Sequence, residues 1–288
     1  MVAAVHDLVR AASADYRCTG TGTGTGTDLG PDSSPVSCSS STLVARCSQR
    51  RSRIPWQSRP PRSATGEHPA APDPPALAAV LDAHAPFQPA PLCPEIAVFQ
   101  GSSLLGVWQA AEALAGRPLP APFWAYAWAA GCALARVLLD EPGLVRGRRV
   151  LDFGCGGGVT ALAAARAGAR EVVANDVDPW ALATLMLAAE RQDLQVTPLL
   201  ADMTRQARKT FDFDVILCAD LAYERGAAAP ERAMLRAARL AGARVLAADA
   251  ERAYFDAAGL KLLAEYRVPV PRDLEGVDER VARVYELM

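Results

Sequence analysis

Three aspartates stand where they could do chemistry, each at the end of an apolar run. Asp152 closes Val150-Leu151-Asp152-Phe153 and is followed at once by the glycine loop Gly154-Cys155-Gly156-Gly157-Gly158. Asp176 lies one strand–helix–strand unit further on, in Asn175-Asp176-Val177-Asp178-Pro179, and Asp202 follows Leu199-Leu200 after the next run. A strand that runs into glycines and then into a helix brings backbone close to a ligand at the carboxyl edge of a sheet. A dinucleotide would need G-x-G-x-x-G, with its pyrophosphate on the helix N-terminus. This loop reads G-x-G-x-G instead, and Asp152, two residues before the first glycine, would repel a pyrophosphate. The same carboxylate suits the ammonium of a methionine moiety, directly or through water. The arrangement therefore points to S-adenosylmethionine. Asp176 would accept from the ribose hydroxyls and Asp202 from the adenine amino group. Asp178, just before Pro179, reads as the cap of the next helix.

The surrounding text supplies elements to hold these acids. Candidate strands are Arg149–Phe153, Glu171–Asn175, Gln195–Leu200, Phe213–Cys218, Arg244–Ala248, Lys261–Arg267 and Glu279–Leu287. Alanine-rich helices at Val159–Ala167, Trp180–Arg191 and Pro230–Leu240 lie between the early ones. Strands alternating with helices of this kind build a parallel sheet covered on both faces. The fold class is α/β, a Rossmann-like doubly wound seven-stranded sheet, and the short loop before the last strand lets that strand run antiparallel. Upstream, the spacing predicts helices over Ala76–Ala85 and Leu104–Ala115, joined by a proline-broken stretch, and a further helix over Gly131–Leu139. The alternation Trp124, Tyr126, Trp128 suits an edge strand packed on the core.

Composition narrows the chemistry. The chain has 288 residues, 51% of them hydrophobic, and a formal net charge of −2. A near-neutral balance does not suit a protein that coats nucleic acid. The seven cysteines are scattered and lack a Cys-x-x-Cys pair, so they outline neither a disulfide framework nor a zinc site. The three histidines are His6, His68 and His84, which leaves residues 85–288 without an imidazole base or ligand. Ser-His-Asp and Cys-His catalysis are thereby excluded from that part, and no metal is expected. No run is apolar for long enough to span a membrane.

Residues 1–75 read as a disordered low-complexity segment, with a Gly-Thr repeat over 20–27, serine and proline runs, and arginines at 50, 51, 53, 59 and 62. An arginine- and serine-rich start also suits a transit peptide, which would make the location mitochondrial and not cytoplasmic. Residues 76–121 form a helical extension, and the catalytic domain runs over 122–288.

At this point the chain becomes recognisable. Residues 122–288 resemble the seven-β-strand S-adenosylmethionine-dependent methyltransferases, and within them the lysine methyltransferases of the electron-transfer-flavoprotein β-subunit type. The resemblance rests on Pro122-Phe123-Trp124-Ala125 with Trp128, on Leu138-Leu139-Asp140-Glu141-Pro142, on Val150 to Gly154, on Ala174 to Pro179, and on Asp220-Leu221-Ala222-Tyr223. The nucleotide-site motifs are shared very widely and specify cofactor only, whereas the aromatic run and Asp-x-x-Tyr are narrower. The resemblance implies that Trp128 is part of the cofactor wall and that Asp152, Gly154 and Gly156 form the methionine-side loop. It implies that Asp176 holds the ribose, Asp202 the adenine end, and that Asp220 and Tyr223 line the channel for the target amine. The family often has Trp-Pro after the aromatic run, where this chain has Trp128-Ala129. The expected activity is lysine methylation of a protein, a flavoprotein subunit or a ribosomal protein, by a cytoplasmic monomer that uses neither nucleic acid nor membrane. A small-molecule N-methyltransferase and a non-catalytic cofactor-binding protein are the alternatives.

Overall fold

The computed structural model describes residues 70–205, 212–222 and 225–288, with the side chains of 225–227 left aside. Most of the expected low-complexity segment, residues 1–69, lies outside them. Helix α1 (Pro74–His84) opens the described part, with Asp73 as N-cap accepting from Ala76 N at 3.2 Å and proline in its first turn. A hairpin follows, β1 (Phe87–Ala90) against β2 (Cys93–Phe99), then α2 (Leu104–Ala115), capped by Ser103 and ended by Gly116 in the left-handed region. Helix α3 (Ala129–Asp140) is buried for most of its length and leads to the main sheet.

That sheet holds β3 (Arg149–Phe153), β4 (Glu171–Asp176), β5 (Thr197–Leu200), β6 (Val215–Ala219), β7 (Arg244–Asp249), β8 (Leu260–Pro269) and β9 (Glu279–Leu287). Their order across the sheet is β5-β4-β3-β6-β7-β9-β8, and β9 is antiparallel to both its neighbours. The crossover helices are α4 (Val159–Arg166), α5 (Pro179–Glu190) and α6 (Arg225–Leu240), and the one-turn helix α7 (Arg272–Glu275) sits in the β8–β9 connection. The central strands are apolar through their middle because helices cover both faces, and their polar residues gather toward the ends. Val150, Leu151, Ile216, Leu217, Val245 and Leu246 are all buried. The chain leaves β3 in one direction toward β4 and β5, then returns to β6 on its other side. Ligands bind at such a switch point, outside the carboxyl ends of the strands. Asp152, Asp176, Asp202 and Asp220 all lie at or near that edge.

The seven sheet strands agree with the sequence reading to within two residues at each end. Three other expectations are corrected. The proline-broken stretch between α1 and α2 is the β1–β2 hairpin. Pro89 and Pro94 fit because each strand of a two-stranded sheet has a free edge, where a missing N–H costs no ladder bond. Gln192 closes part of that edge: its amide accepts from Ala97 N at 2.9 Å and donates to Ala97 O at 2.8 Å. The run Trp124–Trp128 forms a single 3₁₀ turn, Phe123–Ala125, followed by extended residues, and not a strand. Helix α6 begins at Arg225 with Pro230 inside it, because the alanines before the proline carry helix propensity of their own. Among the described residues no helix is long and apolar enough to cross a membrane.

Candidate active site

The loop after β3 is held by the end of β4. Gly154 N and Cys155 N both donate to Asn175 O at 2.9 Å, and Gly156 N donates to Asp176 Oδ2 at 2.9 Å. Asp176 Oδ1 accepts from Val177 N at 2.7 Å and from Asp178 N at 3.0 Å. The carboxylate expected to bind a ribose is thus the anchor of the loop, gripping three backbone N–H groups. Burial pushes its pKa above the ordinary value, against the pull of those N–H groups. Asn175, itself buried, donates to Leu199 O at 2.8 Å and Ala201 O at 2.9 Å, which fixes the edge of β5 and so the position of Asp202. Asp202 accepts from Thr204 Oγ1 at 2.5 Å and pairs with Arg205 Nε at 3.3 Å. Asp178 caps α5 through Trp180 N at 2.9 Å, as the sequence indicates.

Two glycines do different work. A Cβ on Gly157 would meet the backbone carbonyl oxygen of Trp124 at 2.4 Å, so this glycine lets the aromatic run lie against the loop. A Cβ on Gly156, at φ +51°, would meet nothing within 4 Å, so that position faces open space. Gly154, expected to belong to the methionine side, is covered by Leu221, whose Cδ2 would lie 2.4 Å from an added Cβ. The segment after β6 therefore touches the glycine loop.

Asp152 is the most unusual group at this edge. It is 2% exposed, and its Oδ2 has no hydrogen-bond partner. Burial pushes its pKa up to about 7, and the charge of Asp176 adds to that, against a hydrogen bond from the backbone of Ala161. A buried carboxyl with an unused oxygen can take a positively charged or hydrogen-bonding partner. The sequence reading expects a ligand ammonium at this carboxyl group.

The carboxyl edge of β6 and β7 is filled instead. Asp220, 8% exposed and at φ +54°, accepts from Ala130 N at 2.8 Å and from Arg252 Nε at 2.7 Å. It thereby caps α3 and forms a buried ion pair, two tasks that its place in Asp-x-x-Tyr does not reveal. Arg252 reaches on to Glu275 Oε1 at 3.1 Å, and Glu275 Oε2 accepts from Arg280 Nε at 3.0 Å. The Arg252 guanidinium also lies 5.3 Å from the Trp128 ring centroid, in cation–π range. Trp128 donates its indole N–H to Phe123 O at 2.8 Å and meets Phe123 edge-on at 5.7 Å. It lines a cavity of about 70 Å³ together with Tyr126, Gln88, Gln100 and Glu275. The structure thus brings Trp128 to the Asp220–Arg252 cluster, while Trp124, stacked on Trp180 at 6.0 Å, is the aromatic beside the glycine loop. Arg252, Glu275 and Arg280 carry no motif in the sequence, and only the sheet's connectivity brings them to Asp220. Tyr223 lies outside the described residues. Among those residues no group of three His, Cys, Asp or Glu could hold a metal ion.

Comparison with known proteins adds to this geometry. The family described as "Methyltransferase domain" matches residues 150–242, from the start of β3 to the end of α6. The chain is 39% identical over 162 residues to the electron transfer flavoprotein beta subunit lysine methyltransferase of Rattus norvegicus, covering 54% of this chain and 62% of that one. It is 51% identical over 57 residues to the ribosomal protein L11 methyltransferase of Stenotrophomonas maltophilia, covering 20% of this chain and 19% of that one. Among solved structures, TrmN from Thermus thermophilus aligns with a TM-score of 0.42 and 27% identity, over 54% of this chain and 48% of that one. The chain spans less than two thirds of the flavoprotein-subunit lysine methyltransferases that head its matches.

Proposed function

We propose that this chain transfers a methyl group from S-adenosylmethionine to the side-chain amine of a lysine in a protein substrate. The observation that carries the reading is the buried, unpartnered Asp152 Oδ2 beside an open Gly156. An acid in that state fits a ligand that brings its own positive charge, and S-adenosylmethionine carries both an ammonium and a sulfonium. Asp152 holds the ammonium, Asp176 accepts from the ribose hydroxyls while keeping its grip on the loop, and Asp202 receives the adenine end. When bound, the cofactor supplies an electrophilic methyl on a sulfur that leaves as a neutral thioether.

The protein's own work is alignment and protonation control. A lysine amine has an ordinary pKa of about 10.4 and cannot attack while protonated. A bare carboxylate beside it would stabilise the ammonium and work against the reaction. Arg252 answers this, because its guanidinium balances Asp220. Asp220 can then orient the amine without holding it in the charged form, with Trp128 as the aromatic beside the cluster. Similarity to lysine methyltransferases of the electron transfer flavoprotein beta subunit supports a protein substrate of that kind. The enzyme works as a monomer, without nucleic acid or membrane, in the cytoplasm. Import into mitochondria of a reporter fused to residues 1–75 would replace that location by the mitochondrial one.

The test is radiolabelled S-adenosylmethionine with the full-length protein and purified electron transfer flavoprotein beta subunit, followed by peptide mapping. Label on a lysine of that subunit is the expected result. Label confined to the small-molecule fraction of an added lysate would overturn the protein-substrate reading.

A further inference from the structure

The acids and bases at the β6–β7 edge do not balance. Asp220, Asp249 and Glu275 are 8%, 5% and 2% exposed, and they face two guanidinium groups, those of Arg252 and Arg280. Both oxygens of Asp220 accept hydrogen bonds, and both oxygens of Glu275 are paired. Asp249, the last residue of β7, accepts from Arg252 N through Oδ2 at 2.9 Å. Its Oδ1 is buried and has no partner. Capping the turn after β7 uses only one of its oxygens, so that task does not account for the other.

The placement of Asp249 ties it to the cofactor edge. The Cys218 thiol, near the end of β6, is raised first by burial and further by the charges of Glu231, Asp152, Asp249 and Asp220. One thiol thus lies within electrostatic reach of the acid of the glycine loop and of two of the three acids at the β6–β7 edge, Asp220 and Asp249. The groups that face Asp249 are Asp220 and Cys218 from β6, Glu251 and Arg252 from its own turn, and Arg283, its register partner, and Tyr285 from β9.

We propose that Asp249 is a catalytic base of the acceptor site: its Oδ1 receives the target ammonium and takes one proton from it, leaving the amine free to attack. This rests on the lysine-methyltransferase reading above and adds a residue that the sequence motifs do not include. In the step, one N–H bond of the ammonium breaks and an O–H bond forms on Asp249. The nitrogen keeps the electron pair, and the proton later passes to solvent. Burial, then the neighbouring charge of Asp220, pushes the Asp249 carboxyl up to about 6, against the backbone N–H groups of Arg252 and Glu251 and the Arg252 charge. A base in that range is matched to work near neutral pH.

The experiment is the pH–rate profile of Asp249→Asn on the electron transfer flavoprotein beta subunit, beside the wild type and Asp249→Glu. The asparagine keeps an acceptor for Arg252 N and removes the base. At pH 7 its transfer rate should fall about 100-fold, with S-adenosylmethionine affinity unchanged within about twofold. The lost rate should return by about tenfold per pH unit as the amine loses its proton to water, whereas the wild type levels off above about pH 7. Asp249→Glu should keep the wild-type profile at a reduced rate. An Asp249→Asn profile like the wild type's overturns the assignment. So does a loss that alkaline pH does not recover, or one matched by an equal loss of cofactor binding. Absence of transfer by the wild type would overturn the underlying reading as well.

Discussion

The carboxyl edges of β3–β4 and of β6–β7 both bury acids, but they hold them in opposite ways. At β3–β4 the partners are backbone: Asp176 grips Gly156, Val177 and Asp178 through their N–H groups, and Asp152 keeps an oxygen with no partner. At β6–β7 backbone N–H groups of Ala130 and Arg252 are joined by arginine side chains, in a chain of ion pairs that runs from Asp220 through Arg252 and Glu275 to Arg280, while Asp249 keeps one oxygen unused. In the proposed function the first edge takes a cation that comes with a ligand. The second carries most of its own counter-charges, and in the proposed function it orients the amine and controls its proton. The difference teaches that two acid-lined edges of one sheet can be read apart by asking which carboxylate oxygens are already used.

The largest effect should come from breaking the filled edge. Arg252→Met leaves Asp220 and Glu275 buried without their shared cation, and should cost about 3–5 kcal/mol of stability in urea denaturation. A loss under about 1 kcal/mol would mean that this edge is not held by its ion pairs. Next comes Asp176→Ala, which strips three N–H groups of their acceptor and should cost about 1–3 kcal/mol while also weakening cofactor binding. If only binding changed, the carboxylate would be a ligand contact and not the anchor of the loop. Smallest is Asp178→Ala, which removes the cap of α5 and should cost about 1 kcal/mol with cofactor affinity untouched. A large affinity change there would blur the division between cap and ligand site.

The first edge was legible because its partners are local. Glycines beside strand ends, and an aspartate before Pro179, are features that short-range sequence carries, and they placed the loop, Asp152, Asp176 and the cap. The strands were legible because burial on both faces makes each of them an apolar run. The hairpin was not, since its prolines read as breakers until the free edges of a two-stranded sheet are known. The Arg252–Glu275–Arg280 chain was not either. Those residues meet Asp220 only because β7 pairs with β6 and the β8–β9 connection folds back over the edge, and no local pattern encodes that. Asp220 was located by its motif, but its ion pair and its cap on α3 come from sequence far away. The aromatic run was found, while which tryptophan meets which edge depends on a 3₁₀ turn that its alternation disguised.

The proposed function turns on Asp152, the buried acid with a free oxygen, as the group that holds the cofactor's ammonium. Its carboxyl is raised to about 7 from an ordinary 3.8, so folding favours its neutral form. The stability it lends is complete below about pH 4 and is lost as pH rises through about 7. In the cofactor-free protein, Asp152→Asn should therefore raise the melting temperature at pH 8 and leave it nearly unchanged at pH 4. The most direct test is calorimetric titration of the wild type and of Asp152→Asn with S-adenosylmethionine from pH 5 to pH 7. The wild type should bind about tenfold more tightly per pH unit in that range and release one proton on binding. Asp152→Asn should bind on the order of 10–100-fold more weakly at pH 7, with neither pH dependence nor proton release. Equal affinities with the same flat pH response in both proteins would contradict the account.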